Sequence, residues 1–224
     1  MKTLRRIIKI TIWTVIAAYV SAVIIVHVPT VQAWIGRQAA GALAGKLGTK
    51  VTVGRVYLGF LNRVIIDDLV IYDQKAKPML SSTRVAAKID YGELIGSGRI
   101  YISSAQLFGM NGVFYKEHAD KAANFQFALD SLASKDKSKK TSIDLSVNSL
   151  IIRHGSVKFD KLYTPPTPSR FNTDHLAVSD ISAHIVIPYY TTDSLAVAVK
   201  SLSLKEHSGL DLRKLKLALT VKHG

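Results

Sequence analysis

No cysteine occurs in the chain, which removes thiol nucleophiles, cysteine-ligated zinc, iron–sulfur clusters and disulfide frameworks. Acidic residues are scarce beside basic ones, 16 against 30, so the formal charge is +14. Such a surplus suits a polyanionic partner, either nucleic acid or anionic lipid head groups. Catalytic signatures are missing as well. There is no GxSxG, HExxH, Walker A loop or GxGxxG, and Gly96-Ser97-Gly98 lacks the third glycine and the helix that should follow. Asp67-Asp68 makes a poor metal pair, because adjacent strand residues point to opposite faces. His154 with Asp160, or Asp174 with His175, brings no nucleophile and no third ligand. These absences describe a non-enzyme with no cofactor and no metal site.

The charge itself is spread through apolar segments. Its one dense cluster, Lys135, Lys137, Lys139 and Lys140, sits in the low-complexity stretch 133–142, which reads as a solvated basic linker. No helix-turn-helix, aromatic RNP pattern or zinc finger accompanies it, so nucleic acid is not the expected partner. What the chain does have is apolar surface: 48% hydrophobic residues over 224 positions, enough for a β domain with a real core and incompatible with wholesale disorder.

Residues 10–28, from Ile10 through Trp13 to Val28, carry no formal charge and as a helix would extend about 28 Å, the thickness of a bilayer's hydrocarbon. Lys2, Arg5, Arg6 and Lys9 lie in the tail 1–9, whereas Arg37 alone is basic in the next fifteen residues. The positive-inside bias then puts Met1 in the cytoplasm and the bulk across the membrane, with Trp13 and Trp34 near the interfaces. Val31-Gln32-Ala33 would serve as a cleavage site were the segment a secretory signal. Over 29–50, Val31, Trp34, Ile35, Ala39, Ala42, Leu43 and Leu47 recur at helical spacing opposite Arg37, Gln38 and Lys46, a juxtamembrane amphipathic helix capped by Thr30 and closed by Gly48.

From Val51 onward the period becomes two. One unit recurs seven times: two alternating apolar residues, a polar or glycine pair, two more alternating apolar residues. It reads Val51, Val53, Val56, Leu58; Val64, Ile66, Leu69, Ile71; Ile100, Ile102, Ala105, Leu107; Leu145, Val147, Leu150, Ile152; Leu176, Val178, Ile181, Ala183; Val197, Val199, Leu202, Leu204; and Leu210, Leu212, Leu215, Leu217. The odd spacing across each central pair would throw the second couple to the other face unless a bulge intervenes. A long, curved, mostly antiparallel sheet with one aliphatic face is expected, in a first segment over 51–132 and a further one over 143–224. Gly112 and Gly155 suggest hairpin turns before Val113 with Tyr115 and Val157 with Phe159. After residue 50 only 124–132 looks helical, with Asn124 as cap, too little to cover such a face. Pro165-Pro166-Thr167-Pro168 reads as a polyproline connection. The array is expected to continue beyond Lys222-His223-Gly224.

Several segments carry a resemblance: the apolar span, Pro29-x-Val31-Gln32-x-Trp34, Ala39-Ala40, Lys46-Leu47-Gly48-Thr49-Lys50-Val51-x-Val53-Gly54, Gly59-Phe60-x-Asn62-Arg63-Val64 and Asn124-Phe125-Gln126-Phe127. Together they resemble the N-terminal region of AsmA-like proteins of the TamB type, over residues 1 to about 160. The resemblance implies an inner-membrane anchor and a periplasmic curled sheet with a hydrophobic groove. It also implies a part in phospholipid movement between inner and outer membrane or, alternatively, in scaffolding outer-membrane protein assembly beside an outer-membrane assembly factor. The groove would be lined by Val51, Val53, Val56, Leu58, Ile100, Ile102, Leu107, Leu145, Val147, Leu150, Ile152, Val197, Val199, Leu202 and Leu204, and Ile10, Trp13, Val28 and Trp34 would serve the anchor.

Overall fold

β-Branched and aliphatic residues at alternate positions make strand the cheapest way to bury one face of the chain, and the molecule is mainly β. The computed structural model describes residues 2–26, 28–58, 63–90, 100–133, 143–144, 148–167, 170–190 and 194–222. Two helices open the chain, α1 (Lys2–Val26) and α2 (Pro29–Leu47). Among the described residues, ten strands and one short helix follow: β1 (Val51–Thr52), β2 (Arg55–Leu58), β3 (Arg63–Tyr72), β4 (Pro78–Ile89), β5 (Ile100–Lys116), α3 (Gln126–Ala133), β6 (Ile143–Asp144), β7 (Ser149–Lys161), β8 (His175–Tyr190), β9 (Ser194–Glu206) and β10 (Asp211–Lys222). The basic linker expected at 133–142 begins at the last residue of α3, and 134–142 lies outside the described residues, as does Gly96-Ser97-Gly98.

A single sheet runs in the order β1-β3-β4-β5-β7-β8-β9-β10, with β2 also on β3 and β6 on β5. Its pairings are antiparallel except that β7 lies parallel to β5, as β6 does. Parallel neighbours need a crossover, and the stretch containing α3 supplies it. Gly112 and Gly155 are not hairpin turns. Each lies inside an unbroken strand, β5 or β7, because the polar pairs are absorbed as bulges and the strand continues past them.

Helix α2 differs from expectation at its start. Pro29 occupies the first helical turn and Val28 is the cap residue, without a side-chain bond; a proline there needs no N–H partner and presets the helical φ, so Thr30 lies inside the helix. Gly48 closes it in the left-handed conformation (φ 69°) with its N–H on Ala44 O. The Val31-Gln32-Ala33 segment is helical. Arg37 and Gln38 face solvent as expected, but Trp34 is exposed too, at 56%, and Lys46 is half-buried. Leu47 is buried against Val51, Leu69 and Val85, with Leu43 and Ala44 beside it, so the sheet supports this helix. Ala128 of α3 joins the same core. Asn124 does not cap α3: its Oδ1 accepts from Tyr115 N–H at 3.0 Å and its Nδ2 donates to Val113 O at 3.1 Å, stitching the loop to β5.

Candidate hydrophobic groove

Left-handed residues fall within the unit's polar pair on β3 and β8, and two residues past its second couple on β5 and β7. Asp68, Gly109, His154 and Asp180 have φ of 55°, 58°, 52° and 51°. Register puts them in one line across the sheet. Asp68 and Gly109 both oppose Thr83 on β4, between the Asp67–Arg84 and Leu69–Ser82 pairs on one side and Arg84–Phe108 and Ser82–Met110 on the other. His154 lies beside Gly109 in the parallel ladder. Register slips carry the line onward at Gly155, at 180–181, at Lys200 and at Arg213-Lys214. An L-residue held left-handed costs about 1–2 kcal/mol, and here the conformation reverses the in-out alternation once per strand.

The outcome is a continuous aliphatic face. One row of registered neighbours runs Val56, Ile66, Val85, Leu107, Ile152, Ala183, Leu202, Leu215. A second runs Val64, Ala87, Ala105, Leu150, Ile185, Val199, Leu217. Beyond the line of bends the same face continues through Val51, Ile71, Leu80, Gly112, Val157 and Val178. Val178, Ile181 and Ala183 are buried, and the residues packed on them, among them Ile152, Val157, Leu176 and Leu204, are all strand residues. Strands β7, β8 and β9 thus bury one another's side chains on this face, and register slips interrupt their pairings, as bulges do.

Of the residues expected to line the groove, Val51, Val53, Val56, Leu107, Leu150, Ile152, Val199, Leu202 and Leu204 share this face. Val197 extends it beside Leu219, and Ile102 pairs with buried Ile89. Leu58 and Ile100 stand in β2 and β5; Leu145 and Val147 lie outside the described residues. Coverage is uneven. At the β1–β5 end, α2 and α3 close the face, whereas at the far edge Leu215, Leu217 and Leu219 are 38%, 53% and 53% exposed.

The opposite face is mixed, with Ile65, Ala86, Gln106, Ile151, His184 and Ser201 in one registered row. Asp67, buried there, receives Arg84 Nε at 2.8 Å and Nη2 at 3.3 Å, with Arg55 at 3.9 Å. Arg84 holds its carboxyl below the usual aspartate value despite burial. Asp67 is thus committed to arginines and Asp68 is the bend. The histidine pairs divide differently from the sequence reading: His175 meets Asp160, Asp174 meets Lys161, and His154 is a bend residue. Among the described residues no helix is long and apolar enough to cross a membrane. Several side chains of the expected span, at 22, 23 and 25–27, lie outside those described. The line of bends was legible as polar pairs at odd spacing; the glycine and histidine that join it on β5 and β7 were not. No protein-family model and no curated protein matches this chain.

Proposed function

We propose that this is a membrane-anchored AsmA-like protein of the TamB type whose aliphatic face carries phospholipid acyl chains between inner and outer membrane. The observation that carries the reading is the uninterrupted aliphatic row across eight strands, Val56 to Leu215, which among the described residues is covered by helices at one end only. Acyl chains ask for a dry, continuous surface and no specific polar pocket. The anchor is supported by α1, where Ile7, Ile10, Ile12, Trp13, Val15 and Ile16 are all exposed and, at about 100° per residue, lie all round the helix. A helix apolar on every side, with no protein around it, suits hydrocarbon. The basic tail orients it with Met1 in the cytoplasm and the sheet in the periplasm.

Photocrosslinkers at Val53, Ile102 and Val199, in protein isolated from membranes, should each capture phospholipid. Adducts at none of the three would refute the lipid reading. A second reading, a tethered scaffold for outer-membrane protein assembly with an outer-membrane assembly factor as partner, is favoured by β10, which pairs with β9 alone among the described residues. Such an edge accepts a further strand. Crosslinks to outer-membrane protein precursors without lipid would select it.

A further inference from the structure

Between β7 and β8, in the described segments 162–167 and 170–174, Leu162, Tyr163 and Phe171 project into solvent, 59%, 40% and 56% exposed. The return to the sheet passes through His175. Nδ1 of His175 lies 3.1 Å from Asp160 Oδ1 on β7, and Nε2 lies 2.8 Å from the Thr164 carbonyl oxygen in the loop. Both facing atoms are acceptors, so both ring nitrogens must donate, and only the imidazolium carries two N–H groups. A neutral ring satisfies one of them and turns a lone pair on the other. The Thr164 hydroxyl, 3.2 Å from Nε2, cannot mend this, because its one hydrogen is donated to Lys161 O at 3.0 Å. For the same reason the Asp160, His175 and Thr164 cluster is no catalytic triad: its histidine has no free lone pair to accept a proton.

We propose that His175 is a proton-controlled latch, pinning the segment 162–167 through Thr164 to β7 and β8 when charged and releasing it when neutral. Burial alone would raise Asp160, but Lys158, at 2.9 Å, and His175 hold it below the usual aspartate value. Lys161 pairs with Asp174 at 2.6 Å and is raised by that contact. Tyr115, registered beside Asp160 on β5, is half-buried and bonded to Asp73, and is pushed up to about 12; Lys116 stands beside Lys161. His175 itself is raised above 6.5, first by its bond to Asp160 and then by the Thr164 carbonyl. The latch is therefore complete below 6.5 and is lost as pH rises through the higher folded value.

Limited chymotrypsin digestion of the full chain reads the latch directly, since cleavage at Leu162 and Tyr163 needs a loose segment as well as an exposed one. Rates are taken from about pH 6 to about pH 9 and divided by those of a free peptide of the same sequence, while NMR follows the His175 ring. Cleavage should rise several-fold with a midpoint at the ring titration. His175→Gln should be cut at the high rate at every pH, and Asp160→Asn should move the midpoint to lower pH. A flat wild-type profile, a rise that persists in His175→Gln, an unmoved midpoint in Asp160→Asn, or a rise that tracks global unfolding by circular dichroism would each overturn the latch.

Discussion

At the residue scale, buried polar groups are tied down by specific donors, and their loss has a predictable sign. Asp73 is 3% exposed and accepts from Tyr115 OH at 2.7 Å, Lys75 N–H at 2.8 Å and Lys77 N–H at 2.9 Å. Burial pushes its carboxyl up, and these bonds outweigh it, leaving the folded value below 3.8. A lowered carboxyl contributes stability that is present above the unfolded value and lost as pH falls through the folded one. Asp73→Asn should cost about 1–3 kcal/mol at neutral pH and blunt the loss below pH 3.8; urea titrations at neutral and acid pH compare the two. The bends allow a second contrast. A Cβ at Gly109 would run into Thr83 Oγ1 and would hold φ at 58°. Gly109→Ala should therefore destabilise by about 1–2 kcal/mol or more, whereas His154→Gly, which relaxes the same conformation next door, should not destabilise.

At the scale of elements, α2 is held by tertiary contact. Glycines at 36, 41 and 45 weaken its intrinsic helicity, roughly 1 kcal/mol each, and Leu47 inserted among Val51, Leu69 and Val85 offsets that. Leu47→Ala should cost about 2–5 kcal/mol, and hydrogen exchange should show α2 and β1 loosening before β7–β9. If α2 stays as protected as the sheet, the helix stands without this contact. On the sheet, Ile152 sits in the aliphatic row between Leu107 and Ala183. Ile152→Asp would set a carboxylate there, costing several kcal/mol of desolvation, visible as a lowered urea midpoint and, on the proposed function, as lost bound lipid. Lys200, at a bulge on the exposed side, should tolerate Lys200→Glu with a change of less than about 0.5 kcal/mol.

For the whole molecule, the proposed topology makes a sharp forecast. Protease added to spheroplasts should digest the sheet and leave a small membrane-protected fragment containing α1. Full protection would reverse the proposed orientation, and a soluble product starting near Trp34 would identify the first segment as a cleaved signal.

Much of this was written in the order of residues. Alternation of aliphatic and polar side chains decided the sheet and its apolar face, because burial of one face depends only on a period of two. Odd spacing across the polar pairs decided that each strand must bend, and Gly48 after the apolar stripe marked the end of α2. Other features depend on partners distant in the chain. Whether β7 joins β5 parallel or antiparallel turns on the crossover through α3, and in place of the expected hairpins Gly112 and Gly155 stand inside continuous strands. Asn124 could have capped a helix; the unpaired backbone of β5 at Val113 and Tyr115 offered it better bonds. His175 meets Asp160 instead of its neighbour Asp174 because antiparallel register sets β7 and β8 side by side. Local pattern determines which face is apolar, whereas the choice among competing long-range partners is made by register and crossover, which exist only once the sheet has assembled.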